Sequence, residues 1–212
     1  MRYVFASALG QVSDGLLASY ATLPADSYLR HDRCFRFRAF GEAKVKGETF
    51  LWGEDSASFF QSERINGYAG GVERRFAPLP DAARAFAEGL VNSPAARALV
   101  ADEEFRIGCH QIRITADDEH TGLPAPEGFH QDGYDLVAVT CVATENVSGG
   151  ISLVRDKDGE EVVVERTMAP GEVLFLADRE VVHYVSPITP KIPGQPAHRD
   201  VVVITFSLGG EH

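Results

Sequence analysis

The sequence predicts a mainly β protein in which helices of the N-terminal half form a layer over one sheet of a sandwich or barrel. Helix signals lie before Asp102, β-branched apolar runs follow Phe105, and Gly and Pro turn signals separate those runs. The length of 212 residues fits one domain over 1–212. We divide it into a mixed strand and helical support region over 1–104 and a β core over 105–210 that would carry the site.

The support region contains signals for both kinds of element. A helix is expected over Leu16–Leu23, since a capping residue precedes it and a proline follows it. Alternating apolar and basic residues predict a half-buried strand over Cys34–Phe40, ended by the next glycine, and a second strand lies near Glu48–Trp52. Two Ala-rich segments that each begin with a capping residue predict helices over Asp81–Leu90 and Ser93–Val100.

Seven segments of the second half are predicted to be strands, because each is apolar, rich in β-branched residues and bounded by turn residues. They are Phe105–Thr115, Leu136–Ala143, Ile151–Val154, Val162–Met168, Val173–Leu176, Val182–Ser186 and Val201–Leu208. Short strands that follow one another in this way are typical of a sandwich or barrel.

The composition excludes several classes of partner. Acids outnumber bases by 31 to 20, a formal net charge of −11, so no nucleic acid is expected. No apolar run approaches the ~20 residues of a membrane helix, so no membrane partner is expected either. Cys34, Cys109 and Cys141 are far apart, which argues against disulfides and thiolate zinc sites and fits a reducing cytoplasm. The expected partner is a small molecule, and the oligomeric state is left open.

A possible metal site begins at His130 and Asp132, directly before the strand at Leu136. In extended chain, residues two apart share a face, so this imidazole and this carboxylate would point the same way. The chain has a second His-x-Asp pair at His198, and about one such pair is expected by chance. The surroundings must therefore distinguish the two pairs.

A third ligand is available at His183, inside an apolar stretch. Such a histidine taken alone is more often a core residue than a ligand. Together with His130 and Asp132 it makes two histidines and one carboxylate, the ligand set of non-heme Fe(II) oxygenases. Zinc is less favoured, because the sequence offers no HExxH helix with a catalytic base.

The residue that heads the most β-branched run of the chain is Arg199. Strand alternation places Arg199 and Thr205 on one face, so an inward guanidinium and a hydroxyl could bind a carboxylate in an apolar slot. The alternative is an edge arginine that pairs with Asp200 or another acid at the rim.

These residues form an ordered set that resembles the bacterial 2OG-Fe dioxygenase family that includes free L-isoleucine 4-hydroxylase. The similarity covers roughly Phe105 to Leu208 and is far more specific as a set than in any one part. The matching segments are GFHQDGYD at 128–135, Gly149-Gly150, PGEVLFL at 170–176, His183 and RDV at 199–201.

The resemblance implies a double-stranded β-helix, the jelly-roll or cupin-like core, with Fe(II) held by His130, Asp132 and His183. The cosubstrate 2-oxoglutarate would chelate the iron and place its distal carboxylate on Arg199. With O2, this chemistry hydroxylates an unactivated C–H bond and gives succinate and CO2, here on a small free L-amino acid, an aliphatic one. Related halogenases have Gly or Ala at the carboxylate position, so Asp132 favours hydroxylation.

One departure from the superfamily concerns the second contact of the distal carboxylate. Many members have Ser two residues after the arginine, whereas this chain has Val201, which leaves Thr205 as the candidate hydroxyl. For the substrate, His110 or Arg113 could bind a carboxylate, although alternation puts them on opposite faces.

Two further residues, Tyr134 and Ser152, are candidates for the lining of the substrate pocket or for core positions. Three alternatives stay open. The substrate could be a carrier-bound or peptidyl residue, or the protein could be an oxygenase that uses no 2-oxoglutarate. It could also be a non-catalytic jelly-roll binding protein of a stress or biofilm pathway, because one fold hosts many functions.

Overall fold

The computed structural model of the chain describes residues 1–29, 34–53, 58–59, 71 and 73–209. The helices are α1 (Asp14–Ser19), α2 (Asp81–Val91) and α3 (Pro94–Arg97), with 3₁₀ turns at Leu9–Gln11 and Tyr20–Thr22. The strands are β1 (Tyr3–Ser7), β2 (Arg36–Lys46), β3 (Thr49–Trp52), β4 (Ser58–Phe59), β5 (Arg74–Arg75), β6 (Ala77–Pro78), β7 (Glu104–Ala116), β8 (Leu136–Glu145), β9 (Val147–Gly149), β10 (Ile151–Asp156), β11 (Val162–Thr167), β12 (Glu172–Leu176), β13 (Val181–Val185), β14 (Ile188–Pro190) and β15 (Ala197–Leu208).

Two facing sheets form the core. The large sheet has the order β1-β12-β8-β15-β7-β2-β3, with β6 parallel to β2, and every other pair in it is antiparallel. The small sheet has the order β11-β10-β13, and β9 pairs with β14 beside it. This arrangement confirms the mainly β, jelly-roll class.

The two faces of the large sheet have different tasks. Ile107, Val202 and Ile204 point to the helices, where they join an apolar core that includes Phe86 and Leu90 of α2. The opposite face, which we call the interior face, packs against the small sheet. Because side chains alternate along a strand, every second residue of β2, β7 and β15 lies on the interior face.

α2 matches its prediction within one residue, whereas α3 covers only the middle of the helix expected over Ser93–Val100, and β2 and β15 extend well beyond the expected strands. The helix expected over Leu16–Leu23 is α1 followed by a 3₁₀ turn. β2 continues through Gly41, where an added Cβ would lie 3.0 Å from Leu79, so this glycine relieves crowding and does not end the strand. β15 begins at Ala197, before its predicted start, because its polar residues pair with β7 as regularly as its apolar ones.

β1 was not predicted as a strand, and it pairs with β12 at the edge of the large sheet. β1 and β2 come from the first 104 residues, so both parts of the chain contribute to the same sheet. The single-domain organisation itself stays a prediction. No helix in the described part of the chain is long and apolar enough to cross a membrane.

Candidate metal centre

Three side chains, two imidazoles and one carboxylate, meet beside β13 of the small sheet. One ligand atom each from His130, Asp132 and His183 lies within 4.8 Å of the others. The Nε2 atom of His130 lies 4.0 Å from Oδ1 of Asp132, and Nε2 of His183 lies 3.5 Å from Oδ2. The two imidazole centroids are 4.3 Å apart. The structure thus brings together the three residues that the sequence grouped as metal ligands.

The main chain holds the two histidines side by side. His130 and His183 exchange two backbone hydrogen bonds, N–H to O=C, of 3.0 and 2.9 Å. His183 lies in the middle of β13 and pairs with Val154 of β10, which fixes its direction into the interior. The loop that carries His130 therefore has a short bridge to a rigid strand, and both imidazoles are set before any metal binds.

The tautomers suit metal binding at Nε2. Nδ1 of His130 lies 2.9 Å from the Gly128 carbonyl oxygen, which can only accept, so Nδ1 carries the proton. Nδ1 of His183 faces Oδ1 of Asp178 at 3.8 Å. The Nε2 atoms of both rings lie toward Asp132, while Nδ1 of His183 has no hydrogen-bond partner in the described structure. This is the pattern by which outer groups orient histidine ligands in metal sites.

The loop at 132–134 is held by Asp178, a fully buried carboxylate in the turn between β12 and β13. Its Oδ1 accepts the backbone N–H of Asp132 at 3.1 Å, and its Oδ2 accepts those of Gly133 and Tyr134 at 2.7 and 3.0 Å. Gln131 donates to its backbone carbonyl. Sequence reasoning missed this residue, although an acid in the turn just before the His183 strand was a readable signal.

The pKa shifts of these groups follow from burial and from the charged groups packed beside them. Burial and the neighbouring His130 lower the pKa of His183 to about 3. Burial acts in the same direction on His130, but Asp132 and Glu127 outweigh it and raise the pKa of that imidazole. Burial and the negative charge of Asp132 raise the pKa of Asp178. A cation bound among these groups would relieve the repulsion between the two carboxylates.

The buried guanidinium of Arg199 lies on the interior face of β15, 4% exposed. Its Nη2 has no hydrogen-bond partner among the described residues, and burial lowers its pKa. The backbone at Gly150 passes directly over it, since an added Cβ would lie 3.4 Å from its Cδ. At Gly149, φ is +86° and a Cβ would lie 2.1 Å from the Pro187 carbonyl oxygen, so the glycine pair is required here.

A second buried donor, the hydroxyl of Ser152, lies close to this region. Ser152 is 4% exposed, and its Oγ also has no hydrogen-bond partner in the described structure. It shares the interior face of β10 with Val154, the residue that pairs with His183. Ser152 therefore lies between Gly150, which covers Arg199, and the strand position of a proposed ligand.

The structure does not bring Thr205 to Arg199. The two share a face of β15, but six residues of strand separate them by about 20 Å. The Thr205 hydroxyl donates to the Gly108 carbonyl oxygen at 3.3 Å, and it also bonds the phenol of Tyr134. The expectation that Thr205 contacts the same carboxylate as Arg199 is therefore wrong. Burial and Asp132 raise the pKa of Tyr134 to about 12.

His110 and Arg113, the two substrate candidates in β7, lie on opposite faces of the sheet because side chains alternate along a strand. Arg113 points away from the interior and forms two hydrogen bonds of 2.7 Å to Asp200, beside Tyr20. The expectation that Arg113 contacts substrate is therefore wrong. His110 lies on the interior face, 3% exposed, and stacks on Phe40 with ring centroids 4.3 Å apart.

A group of buried arginines surrounds His110, and the sequence analysis missed it. Arg36 and Arg38 of β2 point to the interior, although the alternation was interpreted as a half-buried strand with solvated basic residues. Arg74 of β5 is 2% exposed and lies near both, since it contributes to lowering the pKa of Arg38 and Arg36 contributes to lowering its own pKa. Three arginines in two short segments with a facing histidine were the available signal.

A cleft of about 1040 Å³ runs along the edge of the large sheet and reaches Tyr134. Its walls come mainly from β2, β3 and β7, and Gly108 and Glu42 lie at its inner end. Of the loop that carries the metal ligands, only Tyr134 lines this cleft.

Comparison with known proteins gives concordant results. Residues 17–205 match the family model described as 2OG-Fe dioxygenase. Over 206 residues the chain is 24% identical to a 3(1)-hydroxy-L-isoleucine 4-dioxygenase of Pantoea ananatis (strain AJ13355), covering 92% of this chain and 81% of the relative. A crystal structure of a BsmA homologue from Methylobium petroleophilum PM1 has a TM-score of 0.78 at 26% identity, covering 100% of this chain and 90% of that one. IDO from Bacillus thuringiensis has a TM-score of 0.74 at 20% identity, with 98% and 91% covered.

Proposed function

Because this chain belongs to the 2OG-Fe dioxygenase family, we propose that it hydroxylates an unactivated C–H bond of a small free L-amino acid with an aliphatic side chain. The family uses Fe(II), 2-oxoglutarate and O2. One observation carries the proposal. Ligand atoms of His130, Asp132 and His183 lie within 4.8 Å of one another, and the Gly128 carbonyl oxygen accepts from Nδ1 of His130, which leaves Nε2 of that ring for a metal.

The donor set fits Fe(II). Two imidazoles and one carboxylate on one side of a metal leave positions for a bidentate 2-oxo acid and for O2. Bound Fe(II), with 2-oxoglutarate and O2, supplies the oxidising power that inserts one oxygen atom into the C–H bond, and succinate and CO2 are the other products. We assign His130, Asp132 and His183 as the ligands.

The buried donors fit the distal carboxylate of 2-oxoglutarate. A guanidinium with an unsatisfied Nη2 is costly inside a protein unless an anion pairs with it. We assign Arg199 to this carboxylate and Ser152 as its second contact, in place of Thr205. This reassigns Ser152 from the substrate pocket to the cosubstrate.

The remaining residues orient these groups. Asp178 holds the loop of Asp132, and the Gly128 carbonyl fixes the ring of His130. Gly149 and Gly150 let the chain cover Arg199 and keep water from it. Tyr134 is held by Asp178 through its backbone and by Thr205 through its phenol, and it lines the cleft.

Spectroscopy without oxygen tests the proposal directly. Addition of Fe(II) and then 2-oxoglutarate to the protein should produce the weak visible absorption of an iron-bound 2-oxo acid. After O2 is admitted, succinate should form, and a set of L-amino acids should be searched by mass for a gain of one oxygen. If the absorption and succinate are both missing at saturating Fe(II), the assignment of 2-oxoglutarate chemistry to this site is wrong.

The role of Ser152 has its own test. Ser152→Ala should raise the Kd for 2-oxoglutarate about 10-fold or more, because a hydrogen bond to a charged group contributes about 1.5–3 kcal/mol. Thr140→Val is the matched control, since Thr140 has a fully buried hydroxyl without a partner in the described residues, but on the helix side of β8. Calorimetry with 2-oxoglutarate on the Co(II) protein measures both. An equal effect of the two substitutions would contradict the assignment.

The same chemistry on a carrier-bound or peptidyl residue is the second candidate. The ligand set and the buried Arg199 serve either substrate, since neither feature depends on what is attached to the amino acid. The two candidates differ in the charge of the groups on the substrate's α-carbon.

A further inference from the structure

We propose that Arg38 and His110 bind the α-carboxylate of a free amino acid and that Glu127 binds its α-ammonium group. This site lies on the side of Asp132 that faces β2 and β7, away from Arg199. The inference deepens the proposed function and rests on it. The sequence already offers His110 as a candidate for a substrate carboxylate, and the structure adds Arg38 and Glu127.

The pairing of Arg38 with His110 defines the donors. Nη2 and Nε of Arg38 lie 2.8 and 3.3 Å from Nδ1 of His110. A guanidinium has only donors, so Nδ1 of His110 accepts and the ring proton resides on Nε2. The histidine is neutral, since burial and the arginines Arg38, Arg74 and Arg36 lower its pKa. The pair thus combines a fork of N–H groups with one imidazole N–H, a donor set suited to a carboxylate.

Both members of the pair are held rigidly. His110 stacks on Phe40 at an interplanar angle of 19°, and the guanidinium of Arg38 lies over the Phe76 ring, 4.5 Å from its centroid. Arg38 is 8% exposed. A carboxylate bound here would meet donors that lose little conformational entropy, in surroundings that exclude much of the water.

The register of the large sheet separates this site from the cosubstrate site. Across the sheet, Arg199 of β15 pairs with Ile114 of β7, and Ile114 pairs with Arg36 of β2. The next row of residues on the same face is Val201, Ile112 and Arg38. Arg38 and Arg199 are two strands apart in the sheet and two residues apart along the strands, which places their Cα atoms about 12 Å apart. Asp132 is near enough to raise the pKa of Arg38. The metal ligands therefore have a cationic group on each side, Arg199 on one and Arg38 on the other.

The positive charge is concentrated around Arg38. Arg36 is neutralised by Asp26 in a buried ion pair of 2.8 Å, which holds β2 in place. Arg36 and Arg74 still lower the pKa of Arg38, which burial brings to about 9. Burial and Arg36 lower the pKa of Arg74. A bound anion stabilises such a group of like charges, and a neutral ester or amide cannot do so.

The complementary charge comes from Glu127. Its Oε1 lies 3.6 Å from Nε2 of His130, and it is near enough to Arg74 to raise that residue's pKa. The carboxylate thus lies between the metal ligand and the arginine group, 17% exposed. The α-ammonium group of a free amino acid can pair with Glu127 and its α-carboxylate with Arg38, whereas a peptide-linked residue has neither charge. The site therefore selects a zwitterion.

A comparison of ligands on the unmodified protein tests the site without a folding change. Calorimetry without oxygen, on protein loaded with Fe(II) and 2-oxoglutarate, is run with each of the twenty proteinogenic L-amino acids. The amide and the N-acetyl derivative of the tightest binder should each bind at least about 30-fold more weakly, the loss expected for one partner of a buried charge pair. Derivatives that bind as well as the free amino acid would overturn the site.

Variants identify the residues. Arg38→Gln should weaken binding of that amino acid at least about 30-fold and Arg38→Lys less, while 2-oxoglutarate affinity stays unchanged. Glu127→Gln should weaken it about 10-fold, and Glu119→Gln, the same change on an exposed part of the same loop, should have no effect. Unchanged affinity in both Arg38→Gln and Glu127→Gln would refute the assignment.

The outcome also separates this inference from the proposed function. If the Fe(II) and 2-oxoglutarate absorption forms but none of the twenty amino acids binds, the zwitterion site is wrong and the dioxygenase chemistry stands. If the absorption does not form, both are wrong.

Discussion

Asp132→Ala is expected to lower the rate of substrate hydroxylation at least about 1000-fold, equivalent to roughly 4 kcal/mol of lost transition-state stabilisation. In the described structure Asp132 is the carboxylate of the cluster, and both imidazoles face it, at 4.0 and 3.5 Å. Its removal leaves two neutral imidazoles, which do not hold Fe(II) in a fixed orientation toward a 2-oxo acid. Succinate formation and substrate oxidation, measured at saturating Fe(II), should fall together.

A loss of metal binding, and not of folding, should explain this result. Co(II) should raise the Tm of the wild-type protein, because a ligand that binds only the folded state stabilises it, and this rise should vanish in Asp132→Ala. The Tm without metal should change little, since Asp132 is partly exposed and lies against the like charge of Asp178. Asp158→Ala, an exposed acid in a turn, is the control. Hydroxylation by Asp132→Ala at the normal rate would show that the ligand is another residue.

Local patterns were sufficient to predict the elements of the core and the metal cluster. His130 and Asp132 lie two residues apart before a strand, and His183 lies in an apolar strand, so the period of two already set their directions. Strand pairing was not readable in this way. β1 is too short and too lightly patterned to stand out, and only its pairing with β12 defines it.

Each missed or misplaced residue has its own physical cause. The burial of Arg38 and Arg36 could not be predicted because basic side chains are seldom buried, although the structure buries both. Thr205 was wrongly placed beside Arg199 because a shared face says nothing of the distance along the strand. Ser152 and Arg199 belong to different sheets, so no spacing in the sequence could join them.

Asp178→Ala is expected to weaken metal binding about 100-fold or more and to destabilise the fold by several kcal/mol. The substitution leaves the N–H groups of residues 132–134 without their acceptor in a buried turn, at a cost of about 1–3 kcal/mol each if water does not replace it. Outer groups that orient metal ligands typically contribute 10- to 100-fold to affinity. Asp178 also faces Nδ1 of His183, so two of the three ligands lose their orientation.

The conservative variant separates positioning from bulk stability. Gly133 and Tyr134 donate to Oδ2 of Asp178, whereas Asp132 donates to Oδ1. Asp178→Asn can keep the first two bonds with its carbonyl oxygen but directs an NH2 group at the N–H of Asp132. The order of Co(II) affinity should be wild type, then Asn, then Ala, while the free energy of unfolding of the Asn variant stays nearer to wild type than its metal affinity does. Equal metal affinity in all three proteins would mean that the loop of Asp132 holds its conformation without Asp178.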